Sequence, residues 1–324
     1  MLQEIPVVNL DCLLDPGTIT TVSKAFHDIG FVFVRAPRIC AMMPDLYFSC
    51  ARVFGSPYWV KAQYDCAEIG HQRGWTPPFS EEAIFCRLNK RRGDRRSKDA
   101  KENWFMGPVF PDDHPLVKQF PALYPRNVWP EEVPEFRQCM ETCYAALFPV
   151  GREVLRSVAS YLGYGAHFFD ELLRDAPTVM RAIHYPRITE DQAGNVEWGC
   201  RHTDINLITL LPPSTKLSES PEAGLWVRRR DGVWIPGKAP EGCLIAQVGD
   251  ELEHWTGGHF LSTDHEVRPP ARATLTGRYS IADFFHVRSD VLIEPDRRWA
   301  NGVYKPIRAG EFVLRRLREI GLLA

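Results

Sequence analysis

From Pro177 onward the chain breaks into short runs rich in β-branched and aromatic residues: VMRAIHY, INLITLL, GLWVRR, GVWIP, CLIAQVGD, HEVRPP and RYSIADFFHV. Glycine, proline and aspartate punctuate them. Such side chains suit a pleated, half-buried surface, and the punctuating residues suit tight turns. Several short strands at this spacing predict a sandwich or barrel.

The first half reads differently. IPVVNL is a short strand. A helix follows Pro16-Gly17 and runs to Gly30, FVFVRA is a buried strand, and a second helix covers MMPDLYFSCARVFG to Gly55. Residues 71–110 look irregular. Pro134 to Tyr161 carries the longest helical pattern, with Met140, Ala145, Leu147, Val154, Val158 and Leu162 recurring near helical spacing. AHFFDELLRD is a short amphipathic helix, LEHWTGGHF a loop, and AGEFVLRRLREIGLL a closing helix. No linker separates the halves. The expectation is therefore one domain over 1–324. It is an α+β fold with a mainly β jelly-roll core over 175–290, flanking helices, one long helix before the core, and an N-terminal region over 1–120 with a variable middle.

At 324 residues the chain can bury a substantial core, and a net charge of −2 favours neither a nucleic acid nor a membrane surface. No uninterrupted apolar run reaches the length of a membrane span, and the first residues lack the pattern of a signal peptide. Nine cysteines without CxxC pairs point to reduced thiols in a cytoplasm. Cys139 and Cys143, four apart on the long helix, read as core. Lys90, Arg91, Arg92, Arg95, Arg96, Lys98 and Lys101, with only Asp94 and Asp99 among them, read as a solvated loop, with docking of an acidic partner as the alternative.

The chemistry concentrates in three positions. His202 and Asp204 lie two apart in RHTDINLITLL, and His265 follows 61 positions after Asp204. Side chains two apart on a strand share a face, so His202 and Asp204 are expected to project together, with Asn206 next along. Two imidazoles and a carboxylate take one face of an octahedron and leave three positions open, as a non-heme iron(II) site requires. HxD alone is weak. The ordered series HTD, then Val248-Gly249-Asp250, then His265, then Arg278-x-Ser280 is specific. His184, His254, His259 and His286 read as ordinary structural histidines.

An arginine inside an apolar core is costly unless an anion pairs with it. Arg278 opens an otherwise apolar strand, and Ser280 shares its face. A guanidinium fork with a hydroxyl binds a carboxylate in a defined orientation. Tyr185, in AIHYPRI, is placed to add a phenol, with Arg181 on its face. A salt bridge to an internal acid is the other reading of Arg278.

With these residues in view, the sequence resembles the isopenicillin N synthase-like branch of the iron(II)/2-oxoglutarate-dependent oxygenases. IPVVNL and AFHDIGFVFV resemble that family's N-terminal region, and RGWTPP and KENWFMG its variable middle. HTDINLITLL, GLWVRRRDGVWIP, QVGDELEHWTGGHFLSTDHEV and RYSIADFF resemble its oxygenase region. The resemblance implies a double-stranded β-helix core with iron(II) on His202, Asp204 and His265. It implies 2-oxoglutarate held by Arg278 and Ser280 with help from Tyr185, oxygen as oxidant, and ascorbate as an auxiliary reductant. Phe284 matches a position lining the substrate pocket, and Arg181 and Asn206 join it. His184 stands where plant members carry a tyrosine, and Ile183 where they carry an asparagine.

The implied reaction is oxidation of an unactivated C–H bond of a small molecule in secondary metabolism, with succinate and carbon dioxide released, by a monomer or weak homodimer. Two rivals remain at this point: an iron oxidase of the same fold whose arginine serves another carboxylate, and a binding protein on a retired oxygenase fold.

Overall fold

The computed structural model describes residues 4–80, 99–193, 196–217, 220 and 222–323. Lys90–Lys98 of the basic run lie outside them. Twelve strands build the two main sheets: β1 (Val7–Asn9), β2 (Phe31–Arg35), β3 (Gly74–Thr76), β4 (Glu102–Met106), β5 (Val179–Tyr185), β6 (Gly199–His202), β7 (Ile208–Leu211), β8 (Gly224–Arg228), β9 (Trp234–Pro236), β10 (Cys243–Val248), β11 (His265–Arg268) and β12 (Arg278–Phe285). The major sheet runs β1-β2-β10-β7-β12-β5-β4-β3 and the minor sheet β6-β11-β8-β9. This is the expected jelly roll, with β11 carrying His265 directly opposite His202 on β6.

Helices cover the outer face of the major sheet. Helix α1 (Pro16–Asp28) starts on a proline whose fixed φ suits the first helical position. Helix α2 (Met43–Phe54) and the 28-residue helix α3 (Pro134–Tyr161) follow the sequence periodicity closely. Phe136, Met140, Leu147, Val154, Leu155 and Val158 of α3 are fully buried, each contributing about 1.5–3 kcal/mol relative to exposure. The central strand β12 divides its side chains by alternation. Tyr279, Ile281 and Phe285 face the helices, while Arg278, Ser280, Ala282 and Phe284 face the interior cavity. Helix and sheet meet so closely at Gly151 that a Cβ there would lie 2.2 Å from the Phe285 ring.

Three expectations fail. The region 71–110 is not irregular throughout, because β3 and β4 extend the major sheet, with β4 paired to β5. All five residues of β4 are buried, so no alternation marks it. Its charged member is paired internally: Glu102 accepts hydrogen bonds from Lys61 Nζ and Trp75 Nε1, both at 2.7 Å. LEHWTGGHF is not a loop at its start. Helix α5 (Asp250–Trp255), which follows the short helix α4 (Phe168–Leu173), covers it, with Asp250, Glu251 and Glu253 in its first turn. Finally, Lys101 is 5% exposed and lies inside the molecule, so the solvated-loop reading is wrong at that end of the basic run.

Helix α6 (Ala309–Glu319) closes the chain. Among the described residues, no helix is long and apolar enough to cross a membrane.

Candidate active site

Strand β6 ends on His202, so Asp204 sits in the loop beyond and strand alternation is not what aims it. Its position is set by the backbone of the Val248–Asp250 turn. Asp250 N–H donates to the Asp204 carbonyl at 2.7 Å, Gly249 N–H to Leu207 at 3.0 Å, and Glu251 N–H to Asn206 at 3.1 Å. The two segments approach so closely that a Cβ on Gly249 would fall 1.9 Å from the Asn206 carbonyl oxygen. Only glycine fits that turn.

The result is a compact triad. The potential ligand atoms of His202, Asp204 and His265 lie within 4.8 Å of one another. Asp204 Oδ1 is 3.8 Å from His202 Nε2 and 3.7 Å from His265 Nε2. Each ring is oriented by a backbone carbonyl: His202 Nδ1 donates to Cys200 at 2.6 Å, and His265 Nδ1 to Thr263 at 3.1 Å. That tautomer turns both Nε2 lone pairs toward the triad centre. Asp204 Oδ2 is occupied by Thr209 Oγ1 at 2.6 Å and by Gln247 Nε2, which leaves Oδ1 toward the rings. Burial and then the His265 imidazole push the His202 pKa down. Burial raises that of Asp204, but the two imidazoles and Thr209 outweigh it and hold the carboxyl below its usual range. Two imidazoles and one carboxylate form the donor set that suits iron(II).

Asn206 borders a small cavity, yet its amide turns inward, donating to the Ile208 carbonyl and to Thr209 Oγ1 at 3.1 Å. It orients the threonine that orients Asp204. Thr209 and Gln247 are cross-strand partners on β7 and β10. Both went unnoticed in the sequence, although a lone polar residue inside ITLL and another inside CLIAQV were the available signal.

The triad borders a cavity of about 710 Å³. Arg278, Ser280, Tyr185, Arg181, Phe284 and Ile183 line it as well. Arg278 Nε and Nη2 donate to Ser214 Oγ at 3.2 and 2.9 Å, and the guanidinium lies 5.1 Å from the Tyr185 ring centre. Tyr185 faces Arg278 across β5 and β12. Its contact with the guanidinium is through the ring face. Arg278 Nη1 is buried without a hydrogen-bond partner among the described residues. Among the described residues no internal acid pairs with this arginine, so the salt-bridge reading finds no partner there.

A second cavity of about 130 Å³ lies on the other side of the triad, lined by Phe105, Val179, Ile205, Val313, Leu317 and His286 among others. Lys101, Arg181, His202, Asp204 and Phe284 border both cavities. Arg181 lies 5.0 Å over Phe284 and 5.6 Å over Phe105. Lys101 pairs with Asp99, whose Oδ1 accepts from Cys200 N at 2.8 Å beside the metal strand. His286 was set aside in the sequence, yet it borders the small cavity with its Nδ1 2.8 Å from buried Glu251 Oε1. His184 faces the helices instead, stacked against Phe54 and Tyr279, and lines neither cavity.

A model of the 2OG-Fe(II) oxygenase superfamily matches residues 176–287, and one of the non-haem dioxygenase N-terminal region, described for morphine synthesis, matches 5–132. A 2-oxoglutarate-dependent dioxygenase of Monascus ruber, citB, is 31% identical over 307 residues, covering 90% of this chain and 87% of its own. This chain belongs to the iron(II)/2-oxoglutarate oxygenase superfamily. A solved 2OG-Fe(II) oxygenase family protein from Caulobacter crescentus superposes with a TM-score of 0.78 at 30% identity, covering 98% of this chain and 99% of that one. A Neurospora crassa protein crystallised with alpha-ketoglutarate shares the fold at a TM-score of 0.78 and 23% identity, over 97% and 96% of the two chains. The protein is thus a 2-oxoglutarate-dependent dioxygenase that uses iron(II) and oxygen, as the motif series implied. The triad and the unpartnered Arg278 Nη1 fit both groups.

Proposed function

We propose that this dioxygenase oxidises an unactivated C–H bond of a small molecule of secondary metabolism, by hydroxylation, desaturation or ring closure. One observation carries the assignment of roles. The two Nε2 atoms and Asp204 Oδ1 face a common point on the wall of a cavity that also holds the buried, unpartnered Nη1 of Arg278. His202, Asp204 and His265 hold the metal. Arg278 and Ser280 hold the distal carboxylate of 2-oxoglutarate, with the Tyr185 ring supporting the guanidinium. Bound iron, 2-oxoglutarate and oxygen supply the oxidising power and release succinate and carbon dioxide.

The chain's own residues do the rest. Thr209 and Gln247 fix the Asp204 carboxylate, and the carbonyls of Cys200 and Thr263 fix the imidazoles, so the donor set needs little reorganisation on metal binding. Phe284, Phe105, Val313 and Leu317 make the small cavity a dry seat for the substrate carbon. Arg181, at the wall between the cavities, suits an acidic group on that substrate. We read 1–324 as one oxygenase domain working as a monomer or weak homodimer in the cytoplasm, in keeping with eight free cysteines among the described residues.

Oxygen-dependent succinate release from 2-oxoglutarate is the direct test. His202→Ala or Asp204→Ala should abolish it at any iron concentration. Full iron-dependent activity in either variant would refute the triad.

A further inference from the structure

Asp250 joins three parts of the molecule that are distant in sequence. Its Oδ1 accepts from Ser262 Oγ at 2.6 Å, and Ser262 neighbours Thr263, whose carbonyl orients His265. Its Oδ2 accepts from Thr203 Oγ1 at 3.3 Å, between two of the triad residues. The same oxygen accepts from Arg316 Nη2 at 2.9 Å, reaching in from α6. Its backbone N–H holds the Asp204 carbonyl at 2.7 Å. One carboxylate thus contacts both ligand-bearing loops and the C-terminal helix. Arg316 is only 6% exposed, and its Nη1 is held by Glu319 at 2.8 Å, so the guanidinium is fixed from both sides.

Helix α6 also forms part of the small cavity through Val313, Arg316 and Leu317. A shift of the helix would move this wall and pull on Asp250 together. A buried, well-oriented ion pair has two discrete states, made and broken, and suits the coupling of distant groups better than a surface pair does.

We propose that Arg316 is a positioning residue of the metal centre: through Asp250 it couples the seating of α6 to the geometry of His202, Asp204 and His265. The inference rests on the reading that the triad holds a metal. Coupling is reciprocal, so metal binding must stabilise the seated helix by the same factor that the seated helix strengthens metal binding. The substrate wall and the metal centre then form one unit rather than two independently folded parts.

The test uses the full chain and Mn(II) alone, without 2-oxoglutarate. Hydrogen exchange across 309–323 is measured with and without Mn(II), and the Mn(II) dissociation constant is measured for wild type, Arg316→Met and Arg316→Lys. In wild type, Mn(II) should slow exchange across α6. In Arg316→Met the dissociation constant should rise about 5- to 20-fold, within the usual range of coupling between sites, and the metal-dependent protection should vanish. Arg316→Lys should recover much of both. An Arg316→Met protein that melts lower yet binds Mn(II) within twofold of wild type would overturn the proposal, since a merely structural arginine predicts that result. Wild-type exchange decides the question even if Arg316→Met does not fold: bound Mn(II) that leaves 309–323 unprotected overturns the coupling alone. Absence of Mn(II) binding in wild type overturns the triad reading and the coupling with it.

Discussion

Replacing Arg278 by lysine as well as alanine separates its charge from its fork. In the structure Nε and Nη2 are engaged by Ser214, the Tyr185 ring packs against the guanidinium plane, and Nη1 has no hydrogen-bond partner among the described residues. The fork is therefore ordered before any ligand arrives, and Nη1 is free to donate to an incoming carboxylate. A hydrogen bond to a charged group contributes about 1.5–3 kcal/mol, and a tenfold change in affinity corresponds to about 1.4 kcal/mol. Loss of that bond together with the local positive charge should weaken 2-oxoglutarate binding by about 100-fold in Arg278→Ala. Lysine restores the charge but not the bond to Ser214 or the stacking on Tyr185, so about 10-fold is expected for Arg278→Lys. The assay is succinate formation against 2-oxoglutarate concentration at saturating iron, beside anaerobic titration of 2-oxoglutarate into the metal-loaded protein. The two should agree, with iron affinity unchanged, because no triad residue is touched. A 2-oxoglutarate requirement unchanged in Arg278→Ala would place the co-substrate elsewhere and remove the reasoning built on Nη1.

Three further outcomes follow from other parts of the structure. Gly249→Ala puts a Cβ against the Asn206 carbonyl; it should destabilise the fold by about 1–3 kcal/mol and weaken metal binding, read by thermal melting and metal titration, and a neutral effect would mean that the turn does not seat Asp204. Leu317→Trp should fill the small cavity and suppress substrate-dependent turnover while substrate-free succinate formation persists; equal loss of both would remove that cavity as the substrate seat. His259 is stacked on Trp299 at 4.1 Å and near His27, Arg230, Arg298 and Asp296, and burial pushes its pKa down to about 4. The unfolded chain then binds the extra proton first, so stability should fall as pH drops from about 6.5 toward 4, and His259→Phe should flatten that slope in melting curves.

Local pattern was enough to locate most elements because most were locally encoded. The long helix announced itself through Met140, Leu147, Val154 and Val158, all fully buried in the structure, and β5 and β12 through their β-branched and aromatic residues. The elements that escaped share a physical cause. Strand β4 and the residue before it carry Glu102 and Lys101, whose charges suggest water, yet Lys101 pairs with Asp99, and Lys61, Trp75 and His184 satisfy Glu102 from distant parts of the chain. Pairing at long range is invisible in a window of ten residues. The site divides the same way. His202, Asp204, His265, Arg278 and Ser280 could be read because their residue types and order are chemically restrictive. Thr209, Gln247 and Ser214 were not, since each acts by orienting something else and leaves only a weak mark in the sequence, and Asp250 was read only as part of the VGD turn, not for what its carboxylate holds. The inference that Asp204 projects beside His202 rested on the wrong geometry. Strand alternation was invoked, but β6 ends at His202 and the carboxylate is aimed by three backbone hydrogen bonds from the Gly249 turn. The motif HTD and the motif VGD are therefore two halves of one device: the first supplies the ligands, and the second supplies the only backbone that can approach closely enough to hold the loop between them.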